Sequence, residues 1–186
     1  MPRLFVGIGL PSAHQAVAAG LVARLRPLAG GPVTWTRPDN AHLTLKFLGE
    51  TDAARLPDIT QALGSVAFAP FPLVVAGGGF FPTPARPRVV WAGLAEGAGP
   101  CRALAAAVDA ALARIGFAAE ARPFAAHLTL GRLRDPSRGC DVRGMLAGLG
   151  ETVWPPAMVE AFALYESTLG PQGPRYTPLA RFPGQS

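Results

Sequence analysis

The tetrapeptide His42-Leu43-Thr44-Leu45 returns intact as His127-Leu128-Thr129-Leu130, 85 residues downstream. The chain of 186 residues has only three histidines, with 22 leucines and ten threonines, so a coincidence has a chance on the order of one in a million. Each copy follows a helix-patterned stretch and sits in a strand-patterned one. The expected fold therefore contains two half-domains of about 85 residues related by a pseudo-twofold axis, which brings the two copies together.

On a strand, residues two apart share a face. Each copy thus offers one imidazole and one hydroxyl to the cleft side and sends two leucines the other way, into a core. A single His-Thr pair on a strand face is ordinary. Packing alone, however, tolerates many residues on the polar face, so repetition of the polar pair along with the apolar pair indicates that the polar pair is used.

Imidazole titrates near neutrality, so one ring can accept a proton while its counterpart, charged, donates one. In-line displacement at phosphorus needs that combination: a base on the attacking oxygen and an acid on the leaving oxygen, on opposite sides of the phosphate. Threonine hydroxyls can donate to the nonbridging oxygens between them. Metal binding fits less well. There is no His-x-His or His-x-x-x-His, and neither tetrapeptide holds a carboxylate. Gly-x-Ser-x-Gly is also absent, which disfavours a serine nucleophile.

Sixteen of the 17 basic residues are arginine, and Lys46 is the only lysine. A phosphate-binding P-loop or an adenylating ligase needs a lysine in a suitable context, and Leu45-Lys46-Phe47 supplies neither, so no nucleoside triphosphate is expected as partner. A net charge of +5 and a pI near 10.2 suit an anionic partner such as RNA. Cys101 and Cys140 lie 39 positions apart with no Cys-x-x-Cys, which points to neither a zinc site nor a disulfide scaffold. No run approaches the ~20 apolar residues of a membrane helix. The apolar start, Leu4-Phe5-Val6-Gly7-Ile8, reads as a buried first strand rather than a signal peptide, and the protein is expected to be a cytoplasmic monomer.

Periodicity predicts strands near residues 4–8, 33–36, 41–49, 71–75, 88–94, 124–130, 158–164 and 175–182, and helices over 12–28, 52–66, 99–115 and 138–149. Gly77-Gly78-Gly79 is expected in the loop between the fourth and fifth strands. His14 is expected to be a solvated helix residue. Close strand pairs interleaved with helices make the class α+β, in a single domain over residues 1–186.

Two His-x-Thr-x motifs at this spacing resemble the 2H phosphoesterase superfamily. The flanks narrow the resemblance to the RNA 2′,3′-cyclic phosphodiesterases, also called 2′-5′ RNA ligases: Arg3 to Ile8 (RLFVGI), Trp35 to Glu50 (WTRPDNAHLTLKFLGE), His127 to Arg132 (HLTLGR), and Leu164 to Ser167 (LYES) with Tyr176. The resemblance implies two lobes, each an antiparallel sheet backed by helices, around a V-shaped cleft, with no metal or other cofactor. It implies hydrolysis of RNA or nucleoside 2′,3′-cyclic phosphate ends to a 2′-phosphate, with ATP-independent ligation as the related reaction. In that scheme His42 is the proton donor, His127 the acceptor, Thr44 and Thr129 hold the phosphate, and Arg132 matches a phosphate-contacting arginine. Strict alternation would turn Arg132 away from His127 unless Gly131 allows a bulge or the strand ends there. Phe5 and Trp35 are candidates to stack on a base, whereas Phe47 shares parity with the buried leucines and is set aside. Three other readings remain open at this point: a relative acting on another cyclic phosphate, such as ADP-ribose cyclic phosphate, or on an RNA 3′ end; an RNA-end-binding module without turnover; and a purely structural role in which both motifs are core packing.

Overall fold

A computed structural model describes residues 1–135, 139–170 and 173–185. The elements run β1 (Arg3–Gly9), α1 (Ser12–Leu25), β2 (Val33–Trp35), β3 (His42–Glu50), α2 (Leu56–Gly64), β4 (Phe71–Thr83), β5 (Arg86–Glu96), α3 (Ala98–Ala113), β6 (Leu128–Leu133), α4 (Val142–Glu151), β7 (Ala157–Val159), β8 (Ala161–Gly170) and β9 (Gly173–Pro183). The order across the sheet is β7-β4-β5-β6-β3-β1-β8-β9, with β2 added alongside β6. All pairings are antiparallel. The class is α+β, as the pattern predicts.

Four strands, β3, β1, β8 and β9, form one half of the sheet, and β6, β5, β4 and β7 the other. Helices cover each half: α3 lies against β3 with α2 beside it, and α4 lies against β4 with α1 beside it. The core is built where these layers meet, around Val6, Leu43, Val90, Leu112, Leu128, Met145 and Leu164, all buried. Each such side chain contributes about 1.5–3 kcal/mol when removed from water. No helix among the described residues is long and apolar enough to cross a membrane.

Four local expectations need correction. The Gly77-Gly78-Gly79 run lies inside β4 rather than in a loop, and the β4–β5 hairpin continues to Thr83 opposite Arg86. The reason is close approach: a Cβ on Gly78 would stand 2.2 Å from the Trp91 carbonyl oxygen, so only glycine lets β5 come this near. His14 is buried, 1% exposed, rather than solvated. It shares a stripe with Ala18, Leu21 and Leu25, a helical spacing that is present in the sequence. The strand carrying the second motif starts at Leu128, not at position 124. The last helix starts at Val142, where the Asp141 side chain accepts from the Gly144 N–H at 2.9 Å; position 138, its expected start, lies outside the described residues.

Candidate active site

β3 and β6 are bridged at one described residue pair, Leu43 opposite Leu128, the second residues of the two motifs. The antiparallel register through that pair sets position 42 across from 129 and 44 across from 127, so the local twofold passes between the leucines. Leu43, Leu45, Leu128 and Leu130 are at most 4% exposed, held in the core on the far side. His42, Thr44, His127 and Thr129 all line one cleft of about 1000 Å³. Arg132, Trp35, Phe47, Phe81 and Tyr176 line it as well.

Each histidine is held in the same way. The Nδ1 of His42 lies 2.6 Å from the Asn40 carbonyl, and that of His127 lies 2.7 Å from the Ala125 carbonyl. Nδ1–H donates to the carbonyl two residues back, so in the neutral ring Nε2 carries the lone pair. Asn40 is itself buried and tied across the cleft end, its amide donating to the Pro174 carbonyl at 2.5 Å. At His42, Nε2 is 2.8 Å from the Thr44 hydroxyl, which donates to it when the ring is neutral.

Both imidazoles have their pKa lowered from the ordinary value, and in both burial is the main cause. The Nδ1–carbonyl bonds oppose this by favouring the charged ring. A smaller downward push comes from the charge of His127 on His42, and from Arg132 on His127. Free of ligand, each ring therefore resists protonation, and an anion between them would reverse that bias.

Aromatic rings back both histidines. Phe5 and Tyr176 stand 4.8 and 5.1 Å from the His42 ring, and Tyr165 stacks on Phe5 at 5.0 Å. Phe81 stands edge-on to His127 at 4.9 Å and stacks on Trp91. Phe5 is 3% exposed, so it supports His42 rather than offering a face for a base. Trp35 lines the cleft, with Arg26 over its ring at 5.9 Å. Phe81 and Trp91 are not identifiable from the sequence, because nothing local links them to a histidine more than 30 positions away.

The motifs share one further feature, a bulge at the fourth residue of each. Opposite β1, Val6 pairs with Lys46 and Gly7 with Thr44, which leaves Leu45 extra. Opposite β5, Val90 pairs with Gly131 and Trp91 with Thr129, which leaves Leu130 extra. A bulge reverses the alternation beyond it. Arg132 consequently returns to the cleft face, and the bulge responsible is at Leu130 rather than Gly131. By the same shift Phe47 leaves the leucine face, lines the cleft and is 63% exposed, which corrects its exclusion.

Lys46 points under β3 towards α3, where it borders the α3 end of the same cleft while only 3% exposed. Its ammonium pairs with Asp109 of α3 at 2.5 Å and donates to the Ala118 carbonyl at 2.7 Å. Alternation alone puts it on the polar face with His42 and Thr44, whereas the bulge sends it under β3. Among the described residues, no group of three His, Cys, Asp or Glu side chains gathers at a point where a metal could bind.

A two-lobed sheet that presents one His-Thr motif from each half to a common cleft is the architecture of a phosphoesterase. The model of the family described as LigT like Phosphoesterase matches residues 8–91 and again 94–176, and each stretch contains one motif. The chain belongs to this family. It is 38% identical to the RNA 2′,3′-cyclic phosphodiesterase of Thermus thermophilus, over 97% of this chain and 89% of that one. It is 34% identical to the protein of the same name from Archaeoglobus fulgidus, over 97% and 99%. Among solved structures, Escherichia coli LigT complexed with 3′-AMP superposes over the full length of both chains with a TM-score of 0.77 and 29% identity.

Proposed function

We propose that this phosphoesterase hydrolyses the 2′,3′-cyclic phosphate of an RNA or nucleotide end to a 2′-phosphate, by acid–base catalysis between His42 and His127. The observation that carries the reading is the pairing of Leu43 with Leu128, which sets two identical His-Thr pairs about one axis in one cleft. The names of the relatives, and the 3′-AMP bound to the E. coli neighbour, support the same substrate class.

The cyclic phosphate sits between the two rings. His127, neutral and with its Nε2 lone pair directed by the bond to Ala125, takes a proton from water as the water oxygen attacks phosphorus. The bond from phosphorus to the 3′ oxygen breaks on the opposite side, and His42 donates its proton to that oxygen. One P–O bond forms and one breaks, and the proton count closes with His127 charged and His42 neutral. Thr44 and Thr129 donate to the nonbridging oxygens, and Arg132 offsets their charge. The negative phosphate raises the pKa of the adjacent His42, which supplies the proton that burial alone disfavours. Relief of strain in the five-membered ring drives the reaction. With a ribose 5′-hydroxyl in place of water, the same displacement forms a 2′-5′ linkage without ATP.

The test is incubation with a 2′,3′-cyclic mononucleotide and a cyclic-ended oligonucleotide in excess EDTA, with 2′- and 3′-phosphate products resolved. The expected result is a 2′-phosphate, with each of His42→Ala and His127→Ala slower by roughly 10²–10⁴-fold while retaining most of the binding. A folded protein that turns over neither substrate would refute the reading, as would rates unchanged in the two variants.

A further inference from the structure

The cleft extends past the reacting centre to α3. Residues Arg102, Ala105, Ala106 and Asp109 line it at the i, i+3, i+4, i+7 spacing of one helix face. Two alanines make a shallow floor. Arg102 stands at one end of that floor, and Arg122, from the segment after α3, lines the same cleft.

The charges in this arm are sorted. Its carboxylates are engaged with Lys46: Asp109 in the buried pair, where it also accepts from the Glu120 backbone N–H at 3.3 Å, and Glu120 at 4.0 Å. Arg102 and Arg122 are exposed and make no ion pair or side-chain hydrogen bond with a described residue. Other arginines are committed to the fold: Arg24 to Thr152, Arg37 to Asp39, and Arg55 to the Ile115 carbonyl and the face of Phe117. Across the cleft, Arg88 of β5 is also exposed and makes no ion pair or side-chain hydrogen bond with a described residue, and Arg26 stands over the Trp35 ring on the remaining wall. On the α3 side of the motifs two such cations, Arg102 and Arg122, therefore share one arm of the cleft, with Arg88 across from them on β5.

Size points the same way. About 1000 Å³ is at the upper end of the range for small-molecule sites, roughly 300–1,000 Å³, and a single terminal nucleotide fills only part of it. Single-stranded nucleic acid is held by a cationic groove that tracks the backbone, and such binding weakens with salt.

We infer that the α3 arm is a subsite for the phosphodiester chain upstream of the cyclic end, with Arg102 and Arg122 as its phosphate contacts, so that oligoribonucleotide ends are preferred over mononucleotides. The inference rests on the phosphodiesterase reading above.

The experiment compares kcat/KM for a cyclic-ended pentanucleotide and for the 2′,3′-cyclic mononucleotide of the same terminal base. Wild type should favour the pentanucleotide. In the double variant Arg102→Gln, Arg122→Gln, the ratio of the two values should fall about tenfold. The salt slope for the pentanucleotide should flatten by about 1.4, because two phosphates are no longer neutralised by the protein. Arg143→Gln, which removes a cation from the exposed side of α4 outside the cleft, should leave the ratio unchanged. A wild type with no length preference, or a double variant that lowers both substrates equally, would overturn the subsite. Binding of a 2′-phosphate-ended pentanucleotide, read by fluorescence anisotropy, separates the two proposals. If wild type turns over neither substrate, the phosphodiesterase reading fails by itself. The subsite is then upheld if the double variant binds this RNA about tenfold more weakly than Arg143→Gln does, and rejected if the two bind equally.

Discussion

Replacing Lys46 with methionine keeps the length of the side chain and removes its charge, leaving Asp109 without its partner. Breaking a fully buried pair from one side costs about 3–5 kcal/mol. Lys46 is 3% exposed, but Asp109 retains 24% exposure and the Glu120 N–H, so part of the stranded carboxylate is still solvated. The expected loss for Lys46→Met is therefore about 2–3 kcal/mol, below the fully buried case. For a chain of this length that is a fall in Tm of about 4–12 °C. Urea unfolding should show a lower midpoint with an unchanged m-value. Asp109→Asn completes a double-mutant cycle, in which a coupling of at least about 1 kcal/mol is expected for groups in direct contact. Activity should fall too, because Lys46 anchors Ala118 and Asp109 anchors Glu120, and the segment they hold leads to the Ala125 carbonyl that orients His127. A Lys46→Met protein within 0.5 kcal/mol of wild type, or a cycle with no coupling, would refute this account of how β3 and the second motif are tied, on the scale of ordinary surface substitutions of about ±0.5 kcal/mol.

Two further outcomes are expected. Since both histidine pKa values are lowered from 6.5, the free enzyme loses its acid as pH rises through that region. The maximum of kcat/KM should then lie below pH 6.5, with the kcat profile displaced upward by the bound phosphate; a plateau extending past pH 8 in kcat/KM would contradict it. Gly78→Ala should destabilise by about 2–4 kcal/mol, because the new Cβ meets the Trp91 carbonyl oxygen at 2.2 Å, while Gly64→Ala, with open space around it, should raise stability by up to about 1 kcal/mol; chemical denaturation of both variants checks the pair.

Much of the site is legible in the chain itself. The repeat singles out the two histidines and two threonines, and alternation separates them from Leu43, Leu45, Leu128 and Leu130, because both are properties of a few consecutive residues. Helical spacing with Ala18, Leu21 and Leu25 encodes the burial of His14 as well, although the polarity of a lone imidazole conceals it. The Gly77-Gly78-Gly79 run reads as a turn because glycine marks loops and close backbone contacts alike, and only the position of β5 distinguishes them.

The sequence by itself determined which His-Thr pairs meet in the cleft, their faces within each tetrapeptide and the phosphoesterase class. Tertiary structure decided what surrounds them. A bulge is an extra residue only in relation to a partner strand, so the shifts at Leu45 and Leu130 could not be seen in either strand alone. Those shifts return Phe47 and Arg132, each five residues after its histidine, to the cleft, and they bury Lys46 beneath it. Lys46 finds Asp109 63 residues away, and the rings behind His127 come from β4 and β5. Charge pairing and ring packing are set by distances in space, which local periodicity does not encode.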